Sequence, residues 1–376
     1  MFKDVLVISA VNLVEGGTLT ILNNCLSFLN SNSFICNNYR VIALVHNKNT
    51  FHFENIEFRE FPLAKRNWFF RMYYEYIGFN KVSKSLKPKL WLSLHDMSPI
   101  VTAERKAVYC HNSTPFYHVK LNQIRYSYKL YLFSVFYKYI YRINIKSNTY
   151  VIVQQQWLRN AFAEMYKLDK HKIIVSYPCE LPQEKKLTMH FPSLSPLFFF
   201  PSLSRPFKNF EIICKAADLL IQRGITNFKV VLTINGSEDL YSKEIVGRYR
   251  RNQNIDFCGR LSYSDVCETY LKSTCLIFPS KLETWGLPVS EFIQYRKPMI
   301  LSDLPYAHEA ASNAEKVAFF DSDNALQLSY LMEDVINNDL SRFGKVCSQQ
   351  LNAPYTKSWK ELFDLVLNEF VAYKYV

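Results

Sequence analysis

The sequence predicts an α/β protein built from two Rossmann-like domains, each a parallel sheet flanked by helices, with the two sheets facing a central cleft. Three observations predict it. Short runs rich in Val, Ile and Phe alternate with segments of helical period along the whole chain. The runs fall into two series of about six. Between the series, proline and charge replace the periodicity.

Taken in order, the first series reads as strands at 5–10, 40–45, 90–94, 106–110, 150–153 and 172–177. The second reads as strands at 197–202, 228–234, 255–259, 275–280, 298–302 and 316–320. Helices fill the gaps, such as "FEIICKAADLLIQR", which Gly224 closes. The boundary is "PCELPQEKKLTMHFPSLSP" at 178–196, which gives an N-terminal domain at 1–180 and a C-terminal domain at 190–357. A last helix at about 358–376 packs back on the first domain. A chain of 376 residues suits two domains of ordinary size.

Nine cysteines, odd in number and without a C-x-x-C pair, lie mostly in apolar runs and read as reduced thiols of a cytosolic protein. No apolar run approaches the ~18 to 20 residues of a spanning helix. The net charge of +12 is uneven: no Asp or Glu occurs from Arg105 to Ala163. There, "RYSYKLYLFSVFYKYIYRINIK" interleaves aromatics with cations, which suits an anionic membrane face. An ordinary helix hairpin with solvated lysines fits the same pattern. Basic, aromatic-rich composition also suits nucleic acid, but that reading leaves the carboxylates below without a purpose.

The chemistry should sit in loops at the carboxyl ends of strands. After 275–280 comes "KLETWGLPVSEF", with Pro288 as the expected first helical residue and Glu291 in the first turn. The helix start offers N–H groups and a positive dipole end to an anion, and Gly286 permits close approach. Glu283 and Glu291 flank that place without filling it. A carboxylate beside a phosphate is repulsive, so each should accept from hydroxyls instead, as a sugar diol provides. Gly16-Gly17-Thr18 forms a similar turn after the first strand, and His111 lies in the loop after another. Asp321-Ser322-Asp323 is a D-x-D, yet it precedes a helix and reads as its cap, by Ser322 or Asp323, with no metal.

The "ETWGLPVSE" element and the surrounding "IDFCGRLSYSDVCETYLKSTCLIFPSKLETWGLPVSEFIQYRKPMILSDLPYAHEA" resemble the retaining glycosyltransferases of family 4, which have the GT-B fold. The resemblance implies sugar transfer from a nucleotide diphosphate sugar to a hydroxyl, with retention and without a metal or other cofactor. It places Glu283 by the donor sugar, Glu291 on the ribose, and the amides of Gly286 and Leu287 on the diphosphate. Lys208 takes the family's lysine position. Leu203 stands at the arginine position, with Arg205 as its candidate replacement. Gly16 and Gly17 would approach the donor, His111 would orient the sugar, and Gly259 and Arg260 fall where the base is read. The acceptor expected is a polyprenyl-diphosphate-linked glycan of O-antigen or capsule synthesis, on the inner face of the cytoplasmic membrane. A GT-B protein that binds sugar nucleotides without transferring them is the remaining alternative.

Overall fold

A computed structural model describes residues 3–117, 119–178 and 195–368. They form two compact units. The first comprises the described residues of 1–116, 132–180 and 351–376, and the second those of 117–131 and 181–350. Most of the 178–196 boundary stretch and the end of the expected last helix lie outside the described residues.

In the first unit, strands β1 (Asp4–Ser9), β2 (Tyr39–Val45), β3 (Ile56–Glu60), β4 (Leu90–Ser93), β5 (Arg105–Tyr109), β6 (Tyr150–Val153) and β7 (Ile173–Ser176) share one sheet. In the second, β8 (Leu197–Phe200), β9 (Lys229–Leu232), β10 (Ile255–Phe257), β11 (Cys275–Phe278), β12 (Met299–Ser302) and β13 (Val317–Phe320) share another. A two-residue strand, β14 (Tyr355–Thr356), returns to the first sheet. Every pairing between these strands is parallel. Central strands carry unbroken apolar runs, "VLVI" in β1 and "CLIF" in β11, because helices cover both faces.

The orders are β14-β7-β6-β5-β4-β1-β2-β3 and β10-β9-β8-β11-β12-β13. Strand order therefore reverses between β1 and β4 in one sheet and between β8 and β11 in the other. At such a reversal the flanking loops diverge to opposite faces and leave a crevice at the carboxyl ends, where open α/β sheets take their ligands.

Both β3 and β14 are absent from the expected strand series. Each lies at an edge of the sheet. "IEFRE" is short, and its Glu57 carries Arg40 from β2 and its own neighbour Arg59 at 2.8 Å, which is the charged blunting an exposed edge requires.

The helix Trp359–Leu367 belongs to the first unit and packs Leu362, Phe363 and Val366 into the core beside the helix Gly16–Ser31, with Phe363 stacked on Phe28 at 5.7 Å. Buried Arg159 fastens the chain ahead of it, donating to the carbonyls of Asn352 and Ala353 at 2.6 Å. Residues 117–131 lie within the 1–180 stretch in sequence but cluster with the second unit. Arg125 and Tyr126 both reach Glu244 at 2.7 Å, and Tyr126 stacks edge-on against Tyr241.

Candidate active site

The second sheet's reversal brings Lys208 and Glu283 together. Lys208 ends a 3-10 turn, Pro206–Lys208, in the loop after β8, and Glu283 lies in the loop after β11. Lys208 Nζ donates to Glu283 Oε1 at 2.5 Å, with both side chains mostly buried. The loops are sewn to each other: Lys281 N donates to the Phe207 carbonyl at 2.7 Å, and Asn209 Nδ2 donates to the carbonyls of Pro279 and Ser322. A lysine just ahead of the helix Phe210–Gln222 opposes its dipole, and Glu283 supplies the compensating charge.

The turn after Glu283 is held from inside. Trp285 is buried and its Nε1 donates to Ser290 Oγ at 2.8 Å, while Tyr306 Oη donates to the Ser280 carbonyl at 2.7 Å. Gly286 has φ +95°, a left-handed conformation in which any side chain is strained, and no side chain caps the helix it opens. That helix is Leu287–Ile293, so it starts at Leu287. Pro288 is the second helical residue, and Glu291 lies beyond the first turn, one step further than the sequence suggests. The dipole acts mainly within that first turn, so complementing it is a weak reason for Glu291 to be there. Glu291 instead sits among aromatics, accepting from Tyr270 Oη at 3.1 Å. Burial pushes its carboxyl above the ordinary glutamate range, and the Tyr270 bond draws it partly back.

Arg205 does not join Lys208. It is exposed, donates to the Ser204 carbonyl at 2.9 Å, and leans toward Asp239 at 4.0 Å. Gly259 follows β10 with φ +74°, which favours glycine, and a Cβ there would meet Asn235 Nδ2 at 2.8 Å unless that side chain shifted. Arg260 beside it is exposed.

The D-x-D sequence has another occupation. Asp323 accepts from Lys281 at 2.5 Å and from Lys120 at 3.1 Å, and these lysines hold its carboxyl below the usual range. The cap of the helix Ala325–Ile336 is Asn324, which accepts from Gln327 N, in place of the expected Ser322 or Asp323. Asp321 instead takes the Asp323 amide. Among the described residues no group of three or more His, Cys, Asp or Glu is arranged to hold a metal.

In the first unit, Gly16 opens its helix at φ +66°, and both Gly16 and Gly17 are exposed. His111 follows β5. Its Nε2 is 2.9 Å from the Leu94 carbonyl, an obligate acceptor, so the proton is on Nε2 and Nδ1 accepts from Gln154 Nε2 at 3.4 Å. Burial keeps the imidazole below its ordinary pKa, hence neutral, and Tyr109 stacks on it at 4.6 Å. Both ring nitrogens are thus engaged by protein.

What aligns His111 is Asp96, which sequence reading passed over. Asp96 sits after β4 at φ +69°, and its carboxylate accepts from His111 N at 2.5 Å, Asn112 N at 3.1 Å, Tyr141 Oη at 2.6 Å and Tyr137 Oη at 3.3 Å. The available signal was a lone acid just past a strand end, with an acid-free stretch ahead of it in sequence.

Two parallel α/β units, each with a strand-order reversal, are the architecture of the GT-B fold. Residues 189–349 match the family described as "Glycosyl transferases group 1". The O-antigen chain mannosyltransferase RfbU of Salmonella typhimurium (strain LT2) is 20% identical over 276 residues, which are 72% of each chain. A glycosyltransferase from Rickettsia africae superimposes with TM-score 0.64 at 17% identity, over 89% of this chain and 88% of that one. The lipopolysaccharide outer core galactosyltransferase WaaB gives 0.60 at 12%, covering 90% and 92%. Anabaena HepE in complex with UDP-glucose gives 0.60 at 13%, covering the same shares. Residues 189–349 carry the match to this glycosyltransferase family, and the chain as a whole has the GT-B fold of these structures.

Proposed function

We propose that the protein transfers a sugar from a nucleotide diphosphate sugar to a hydroxyl of a lipid-linked glycan, with retention at the anomeric carbon, during synthesis of a bacterial surface polysaccharide. The observation that carries the reading is the Lys208–Glu283 pair at the β8/β11 reversal. When the donor's diphosphate leaves, negative charge builds on it. Lys208 and the amides that open the Leu287–Ile293 helix meet that charge, a role electrostatic groups fill in many transferases. Glu283, released from the lysine, accepts from the hydroxyls of the sugar, and buried Glu291 accepts from the ribose diol. No step here calls on a metal. In the first unit, Gly16 and Gly17 offer open backbone to a substrate, and His111, with both ring nitrogens engaged, serves by fixing its own loop.

Names of relatives support the setting: an O-antigen chain mannosyltransferase, an outer core galactosyltransferase, and a protein solved with UDP-glucose. No described helix is long and apolar enough to cross a membrane. Peripheral docking on the inner face of the cytoplasmic membrane fits the helix Tyr128–Arg142, which exposes Tyr128, Leu132, Phe136 and Tyr139 and carries Lys129, Lys138 and Arg142. The test is incubation of the purified chain with labelled uridine and guanosine diphosphate sugars and membrane extract. Label entering a lipid-extractable glycan supports the reading, and donor binding without transfer favours a binding protein. Flotation with liposomes that have or lack anionic lipid tests the docking, and indifference to lipid charge counts against it.

A further inference from the structure

The first sheet's own reversal, between β1 and β4, holds a pocket of about 170 Å³. Asn12 reaches it from the loop after β1 and Met97 from the loop after β4. Lys65, Trp68 and Arg71 close another side. A buried water needs ~10–15 Å³ by a comparable measure, so a phosphate-sized group has ample room. No acidic residue lines it.

Arg71 is 6% exposed and its guanidinium is not fully used. Nε faces Glu75 Oε1 at 3.0 Å and Nη2 reaches the His95 carbonyl at 3.5 Å, but Nη1 is buried without a hydrogen-bond partner among the described residues. Such a group costs free energy unless something meets it. Glu75 meets the arginine from the Nε side only, and no hydrogen bond from a described residue reaches Nη1. Burial pushes the Glu75 carboxyl up to about 7 against the opposing pull of Arg71, and burial, then Arg71, holds His95 far down and neutral. His95 faces Glu75 from the segment after β4 at 3.5 Å, and Ser9 of β1 meets His95 at 2.8 Å. Trp68, 47% exposed and resting on Phe133 and Tyr137, supplies an apolar wall beside the cations.

We propose that this pocket binds a phosphoryl group, held by Lys65 and by the Arg71 guanidinium once its Nη1 turns into the pocket, with Trp68 against its organic substituent, and that the group belongs to the acceptor. The second clause rests on the transferase reading above, while the first stands on the pocket alone. The test is titration calorimetry of the full chain with geranyl diphosphate, inorganic pyrophosphate and geraniol. Both diphosphates bind and geraniol does not. Affinity falls roughly tenfold in Lys65→Ala and further in the paired R71M/E75Q variant, which leaves no lone buried charge, as loss of a charge-assisted bond predicts. Diphosphates also meet Lys208 on the other unit, so the affinities are read in the Lys208→Ala background, where the binding that depends on Lys65 persists. Geraniol binding as well as its diphosphate overturns the proposal, as does loss of binding in Lys208→Ala with none in Lys65→Ala. Tighter binding of geranyl diphosphate than of pyrophosphate identifies a lipid-linked source, and equal binding a free anion; each supports the phosphoryl site. Phosphoryl binding without any sugar transfer sinks the acceptor role alone, and transfer that persists at wild-type rate without phosphoryl binding sinks the pocket alone.

Discussion

Lys208 and Glu283 lie 75 residues apart in sequence and 2.5 Å apart in space. Each is the other's partner in the absence of substrate, so the pair neutralises in advance a cation that the leaving diphosphate is proposed to claim. Lys208→Ala is expected to lower kcat/KM for the donor by ~10²–10³-fold. A purely structural lysine behaves differently: K208M/E283Q, which removes both charges, regains stability and with it the activity. Recovery of turnover in that double variant refutes the catalytic assignment.

Glu291 gives a pH dependence. Its folded pKa is raised by burial, so its contribution to stability is present at low pH and is lost as pH rises from the ordinary glutamate range through the folded value. Glu291→Gln is therefore more stable than the parent at neutral pH while binding donor more weakly. Tyr270→Phe keeps the ring packing on Phe199 and Phe292 but removes the hydroxyl that draws the carboxyl back down. The acid limb of donor affinity should shift to higher pH in that variant. An unmoved limb shows that ionised Glu291 does not bind the donor.

Much of this was readable in advance, and what was not has physical reasons. Parallel strands buried on both faces, such as β1 and β11, announce themselves as unbroken apolar runs. "IEFRE" does not, because an edge strand needs charge on its open side. The turn around Gly286 was visible because left-handed backbone selects glycine. Asp96 was invisible because its partners are 15 to 45 residues away and meet it only once β4 and β5 pair. Arg205 sits three residues from Lys208 in sequence, yet Ser204 and Asp239 turn it aside, a tertiary competition no spacing reveals. Buried Arg71 gave no sign either, since Phe69 and Tyr73, two residues to either side, are exposed.

Asp96 is the acceptor on which the His111 loop is built. Asp96→Ala strands two backbone amides and a buried tyrosine hydroxyl, and should cost ~2–4 kcal/mol by urea denaturation. Asp96→Asn tolerates the left-handed backbone and retains one acceptor oxygen, so it should cost clearly less. Equal losses in both variants indicate that the carboxylate charge, and not its acceptor geometry, holds the loop.

Gly259 separates two kinds of constraint. At φ +74° an alanine is strained by ~1–3 kcal/mol from the backbone alone. Its Cβ would also stand 2.8 Å from Asn235 Nδ2, closer than packed atoms tolerate. Asn235→Ala removes that obstacle but leaves the backbone angle untouched. Gly259→Ala should therefore destabilise less in the Asn235→Ala background than in the parent, and the remaining loss measures the backbone term. If the losses are the same in both backgrounds, the side-chain contact contributes nothing, and the left-handed turn after β10 is the whole reason for glycine at the place where the base is proposed to bind.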